Sequence, residues 1–117
     1  MKCAEGLFEK KQGDVFVLAG DGPLIRAHTL AALLERHRST GAVATLATSV
    51  IDDPSGYGRI VRDSTGRFSA IVEEKHCKPE QRAIREVNPS YYCFQTAALF
   101  EGLAQVKRNE GSGEYYI

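Results

Sequence analysis

The run from Asp14 to Asp21, Asp-Val-Phe-Val-Leu-Ala-Gly-Asp, constrains the fold more than any other segment. It is nearly continuous in apolar residues, has the length of a strand and ends in a glycine and a carboxylate. Apolar side chains on both faces predict a strand covered on both sides, as in a parallel sheet. After Pro23, the stretch from about Arg26 to Arg38 places Leu30, Leu33, Leu34 and His37 at helical spacing, which predicts an amphipathic helix stopped by Gly41. Ala42 to Val50 is a second apolar and β-branched run. Strand, helix and strand of these lengths predict a right-handed βαβ crossover.

The middle of the chain changes character. Arg59 to Asp63 and Arg67 to Glu74 alternate over short runs joined by Asp63-Ser64-Thr65-Gly66, which predicts a β-hairpin. In its second strand Phe68, Ala70 and Val72 share one face, with Ser69, Ile71 and Glu73 on the other. Pro79 to Arg85 reads as a short helix, with Pro in its first turn and Glu80 at its positive end. Val87 to Phe94 is strand-like, and Pro89 within it predicts an edge position or a bulge. Thr96 is placed to cap a last helix through about Lys107, with Leu99, Phe100, Leu103 and Val106 as its buried stripe. The tail from Asn109 to Ile117 reads as a glycine-containing loop turning apolar.

A length of 117 residues suits one domain, since domains cluster at about 100 to 150 residues. Fifteen basic residues balance fifteen acidic ones, so the chain lacks the cationic excess that drives binding to nucleic acid or anionic membranes. Three cysteines, Cys3, Cys77 and Cys93, form no CxxC pair and read as reduced thiols of a cytoplasmic protein. No apolar stretch has the length of a signal peptide or a membrane span, so neither secretion nor membrane insertion is expected.

Chemistry concentrates in three places. In Gly20-Asp21-Gly22-Pro23-Leu24 a carboxylate follows a strand, where ligands bind in open α/β sheets and where Asp21 could hold a hard cation against phosphate oxygens. Gly20 would admit a substrate close to the backbone. The same residues also suit a plain turn in which Asp21 caps the next helix. Asp52-Asp53-Pro54-Ser55-Gly56-Tyr57-Gly58-Arg59-Ile60 is a glycine-containing loop with backbone N–H groups free for a ligand, or simply a solvated turn. Ile71-Val72-Glu73-Glu74-Lys75 ends a strand in carboxylates, of which Glu73 could accept from hydroxyls, or could belong to a solvated edge. His28, His37 and His76 match no zinc spacing, and no nucleophile elbow or Walker lysine loop is present.

Taken in order, these three segments, together with Pro79-Glu80-Gln81-Arg82-Ala83-Ile84-Arg85-Glu86-Val87-Asn88 and Gly113-Glu114-Tyr115-Tyr116-Ile117, resemble the uridyltransferase domain of bacterial bifunctional N-acetylglucosamine-1-phosphate uridyltransferases. The likeness runs from about Asp14 to Ile117. It implies an α/β, partial Rossmann-like nucleotidyltransferase fold, with a mostly parallel sheet, flanking helices and a β-hairpin. It further implies one partial domain over residues 1–117, the sugar-binding half without the N-terminal nucleotide-binding half.

The activity implied is transfer of uridylyl from UTP to N-acetylglucosamine 1-phosphate, with Mg²⁺ as cofactor and UDP-N-acetylglucosamine and pyrophosphate as products. Carried over by motif, Asp21 is the metal ligand, and Gly20, Gly58, Glu73 and Asn88 bind substrate. No protein nucleophile is implied, because phosphoryl transfer needs alignment and charge neutralisation. Two positions depart from the family pattern: Ala19 stands where an aromatic is usual, and Pro89-Ser90 where Thr-Gly is usual. A non-catalytic sugar-nucleotide-binding or interaction module of the same fold is the alternative reading, and an enzyme completed by another chain is a third. Self-association through an unpaired sheet edge is expected.

Overall fold

The computed structural model describes residues 4–8, 12–22 and 24–106. The helices are α1 (Glu5–Phe8), α2 (Ala27–Thr40), α3 (Pro79–Arg82) and α4 (Thr96–Gln105). The strands are β1 (Asp14–Leu18), β2 (Ala44–Leu46), β3 (Ser49–Val50), β4 (Gly58–Arg62), β5 (Phe68–Val72), β6 (Glu86–Asn88) and β7 (Tyr91–Gln95). They form two sheets, one of order β1-β7-β2 and one of order β3-β6-β4-β5.

Every described pairing is antiparallel, which corrects the expectation of a mostly parallel sheet. β1 and β2 do run in the same direction on either side of α2, but they do not pair. β7 lies between them, antiparallel to both, and supplies each ladder. Within this sheet the most deeply covered strand is therefore β7, where Cys93 is fully buried, while β1 is only half-buried. A continuous apolar run reports burial, and burial does not distinguish a parallel neighbour from an antiparallel one.

Two apolar runs that read as single strands are each divided between the sheets. Residues 42–50 contribute β2 to one sheet and β3 to the other, with Ala47 and Thr48 at the crossing. Residues 86–95 contribute β6 and β7, broken at Pro89-Ser90. Pro89 thus occupies neither an edge strand nor a bulge: both flanking strands are interior, and the missing N–H falls in the gap between two ladders. The crossings lie side by side, since β2 pairs with β7 and β3 with β6, and the Ala47 N–H reaches the Tyr91 carbonyl at 3.0 Å.

α2 ends where the sequence places its stop, with Gly41 at φ 62° and its N–H on the Arg38 carbonyl. Leu33 and His37 are its buried side chains, and the helix packs on β2 and β7. The β4–β5 hairpin forms as expected, with Arg59 opposite Val72 and Ile60 opposite Ile71, and a register slip after Val61. At its turn, Asp63 Oδ1 accepts from the Thr65 N–H, the Thr65 hydroxyl and the Arg67 N–H, while Gly66 adopts φ 80°.

α3 stops at Arg82, short of the expected Arg85. Arg85 is drawn into extended backbone beside β3, where its carbonyl accepts from the Ile51 N–H at 3.1 Å and its guanidinium binds the Ile51 carbonyl and Asp52. Thr96 does not cap α4. It is the first helical residue, and both its N–H and its hydroxyl donate to the Gly13 carbonyl at 2.9 Å, tying the helix start to the entry of β1. Leu99 and Leu103 are buried along α4, with Phe100 and Val106 half-buried and Phe100 against Phe8 of α1 at 5.8 Å. Lys107 and the tail from Asn109 to Ile117 lie outside the described residues. Among the described residues no helix is long and apolar enough to cross a membrane.

Candidate functional site

Where the two sheets exchange strands, the end of β1 faces the start of β4, the end of β5 and the β6–β7 break. A cleft of about 210 Å³ opens there, lined by Ala19, Asp21, Gly56, Tyr57, Gly58, Glu73, Asn88, Pro89 and Ser90. A larger hollow of about 440 Å³ adjoins it, sharing Ala19, Glu73, Asn88 and Ser90 and adding His76, Tyr92 and apolar side chains of β1 and β5. The larger volume falls within the range of about 300 to 1,000 Å³ usual for small-molecule sites. Four of the five residues singled out from sequence, Asp21, Gly58, Glu73 and Asn88, line the cleft together. Gly20 is exposed beside Asp21 and is not among the lining residues.

The backbone explains these placements. After β1 the Ala19 N–H bonds the Ser90 carbonyl at 3.2 Å and the Gly22 N–H returns to the Ala19 carbonyl at 3.3 Å, so the chain turns with Asp21 exposed at the strand end. The bare Cα of Gly22 leaves room for the Tyr91 hydroxyl, which a Cβ would push aside. The loop before β4 is folded by Asp53, whose Oδ1 accepts from the Ser55 hydroxyl at 2.6 Å and the Ser55 N–H at 3.1 Å. The Ser55 bonds hold the Asp53 carboxyl below its ordinary range, the hydroxyl contributing most. This is the same turn chemistry as Asp63 and Thr65, whose hydroxyl is likewise the largest influence lowering the Asp63 carboxyl.

Gly58 opens β4, is buried, and pairs with Asn88 across the ladder. A Cβ at Gly58 would stand 3.1 Å from Ile71 Cγ2 and 3.2 Å from Glu73 Oε1, so the bare Cα is what lets the Glu73 carboxylate lie over this strand. Glu73 follows β5 and its carbonyl accepts from the His76 N–H at 2.8 Å, starting the 3₁₀ turn Glu74–His76. Asn88 is 7% exposed and ends β6. Its side chain bridges the Pro89-Ser90 break, Oδ1 accepting from the Ser90 N–H at 3.0 Å and Nδ2 donating to the Tyr92 hydroxyl at 2.6 Å. Ser90 itself sits at φ 62°, in the left-handed region that favours glycine.

Sequence reasoning passed over two residues that shape this site. Arg59 is 2% exposed; its guanidinium donates to the Tyr57 carbonyl and, at 2.6 Å, to Glu74 Oε2, while its Nε has no hydrogen-bond partner. It therefore clamps the residue before Gly58 to the residue after Glu73. The only sequence signal was an arginine on the apolar side of an alternating strand. Tyr92 left no signal, because its contact with Asn88 forms across a chain break that periodicity does not show.

The cleft lining is acidic and polar, and the adjoining hollow is mainly apolar. Asp21 and Glu73 supply carboxylates, and no Lys or Arg is among the described residues that line the cleft or the hollow. No cluster of three or more metal-ligating side chains occurs among the described residues. His37 lies outside the cleft, buried between α2 and the strands, with Nδ1 2.9 Å from the Thr45 hydroxyl and Nε2 3.5 Å from Asp14. Burial, with the nearby Asp14 charge, pushes the Cys93 thiol up, as suits an inert core thiol.

The nucleotidyl transferase family matches residues 1–115. The bifunctional protein GlmU of Geobacillus sp. (strain WCH70) is 49% identical over 109 residues, which are 93% of this chain and 24% of that protein. The bifunctional protein GlmU of Shouchella clausii is 46% identical over 117 residues, all of this chain and 26% of that protein. The one of Heliobacterium modesticaldum is 52% identical over 103 residues, 88% of this chain and 22% of that protein. The chain thus spans about a quarter of the length of the curated relatives it matches.

Proposed function

The chain belongs to the nucleotidyl transferase family, and from that premise we propose that its cleft holds the sugar end of a sugar nucleotide. The enzyme we propose forms UDP-N-acetylglucosamine and pyrophosphate from UTP and N-acetylglucosamine 1-phosphate. The observation that carries this reading is the convergence of Gly58, Glu73 and Asn88 with Asp21 on one small polar cleft. A carboxylate, an amide and exposed loop backbone can together meet the hydroxyl, amide and ether groups of a hexosamine.

In this reading the sugar phosphate lies with its ring against the Glu73 carboxylate, which the bare Cα of Gly58 lets lie over β4. Glu73 accepts from a sugar hydroxyl or amide N–H, and Asn88 donates. These contacts orient the phosphate oxygen for in-line attack on the α-phosphorus of UTP, and orientation is the main protein contribution to such a transfer. Asp21, exposed at the mouth of the cleft, would be the carboxylate that holds Mg²⁺, a hard cation suited to oxygen ligands. When bound it supplies charge neutralisation across the phosphate oxygens. Among the described lining residues there is no Lys or Arg, so the triphosphate needs cationic partners beyond them.

Calorimetric titration with UDP-N-acetylglucosamine, UDP-glucose and GDP-mannose in Mg²⁺ tests the reading. Saturable binding that prefers the N-acetylated sugar and is lost in Glu73→Ala is expected, at millimolar rather than micromolar strength because the phosphate contacts are few. Equal heats for all three, or binding unchanged in Glu73→Ala, would overturn it. Pyrophosphate release, assayed alongside, separates the enzyme from the alternative of a binding module: a module binds without turnover.

A further inference from the structure

The side-chain amide of Asn88 is not free to choose its orientation. The Ser90 backbone N–H can only donate, and it stands 3.0 Å from Asn88 Oδ1, so the oxygen is fixed on that side. Nδ2 is then directed at the Tyr92 hydroxyl, 2.6 Å away, which must act as acceptor. The Tyr92 ring is half-buried in β7 and tilted against Phe94 at 5.8 Å, so packing sets where the hydroxyl sits. Of the four hydrogen-bonding sites of the amide, the protein occupies one lone pair and one proton. One Nδ2 proton and one Oδ1 lone pair are left, each at a fixed place, on a residue that lines both the cleft and the hollow.

We propose that Tyr92 is a positioning residue of the sugar site, whose hydroxyl locks the Asn88 amide as a hydrogen-bond donor toward the ligand. This edge of the cleft then selects an acceptor oxygen on the sugar, such as a carbonyl, while the acceptor-only Glu73 carboxylate selects a neighbouring O–H or N–H. A sugar presenting an acceptor beside a donor, as an acetamido group does, matches both at once. The inference rests on the reading of the cleft as a sugar site, but the lock is a property of the protein alone.

Two measurements on the ¹⁵N-labelled chain test it. The Asn88 side-chain NH₂ signals are identified by their loss in Asn88→Ala. Without ligand, one of the two protons is expected to exchange with solvent more slowly than its partner, and Tyr92→Phe, which keeps the ring, is expected to erase the difference. Two equally fast protons in the unsubstituted protein would overturn the lock even if the variant failed to fold. In the second measurement, titration with N-acetylglucosamine 1-phosphate is expected to show affinity weakened about 3- to 10-fold in Tyr92→Phe, as the loss of one hydrogen bond implies. The double variant with Asn88→Ala should bind no more weakly than Asn88→Ala alone. Additive losses, or unchanged affinity in Tyr92→Phe, would overturn the positioning role. Absence of binding by the unsubstituted protein would instead defeat the sugar-site reading, leaving the exchange measurement to decide the lock.

Discussion

The three-stranded and four-stranded sheets are held together by different forces. Around β1-β7-β2 the buried side chains are mostly apolar, Cys93 at the centre, Leu33 from α2, and Leu99 and Leu103 from α4, with His37 and Thr96 as buried polar members and one ion pair between Arg38 and Asp14. Around β3-β6-β4-β5 the buried apolar strand residues are Ile60 and Val87, and ion pairs recur: Arg59 with Glu74, Arg62 with Glu86, Arg85 with Asp52. Hydrophobic burial scales with area and tolerates small displacements, whereas hydrogen bonds and ion pairs fix particular atoms. Most of the cleft belongs to the second sheet and to its junction with the first. Its geometry is therefore set by directional bonds, and the apolar sheet serves as the platform.

The sharpest separation should come from Leu99→Ala. Removing a buried leucine side chain costs about 2 to 5 kcal/mol, to be read by denaturant unfolding, yet the protein that remains folded should bind ligand as before. Arg59→Met should cost less, about 1.5 to 3 kcal/mol for the loss of charged hydrogen bonds, while lowering ligand affinity, because it releases the Tyr57 carbonyl beside Gly58. A Leu99→Ala protein with impaired affinity, or an Arg59→Met protein with intact affinity, would break the division between platform and cleft. Ser90→Gly acts at the junction: relief of a left-handed serine, less the added flexibility of the unfolded chain, should raise stability by about 0.5 to 1 kcal/mol.

The smallest effect is expected in acid. Hydrogen bonds from Arg62 hold the Glu86 carboxyl below its ordinary 4.5, so the folded state binds this proton less readily than the unfolded chain. The contribution is fully present above that ordinary value and fades as pH falls through the lower value of the folded protein. Glu86→Gln should flatten this part of the acid limb of a stability-against-pH curve. An unchanged limb would mean that the pair contributes nothing measurable, as is common for exposed pairs.

The contrast also explains what could be read from sequence. α2, its glycine stop, the hairpin and the Asp63 turn depend on neighbours within a few residues, and each was legible. The direction of the sheet was not, because β7 enters between β1 and β2 from more than forty residues away, and no local pattern reports which strand will intervene. The split of two apolar runs between sheets was equally hidden, although Pro89 marked one of the two breaks. In the cleft, Asp21 and Glu73 stood out as carboxylates that follow apolar runs, whereas the roles of Gly58 and Asn88 came from the family motifs they match. Arg59 and Tyr92 did not stand out, since their importance lies in contacts across strands.

The central claim is that one cleft at the junction of the two sheets receives the sugar. Mapping ¹⁵N–¹H chemical-shift changes on addition of millimolar UDP-N-acetylglucosamine tests it most directly. The amides of Asp21, Gly58, Glu73, Asn88 and Ser90 should move together along one saturation curve, with those of the Asp63–Gly66 turn unmoved as an internal control. Shifts centred on that turn or on α2, or none at saturating ligand, would contradict it.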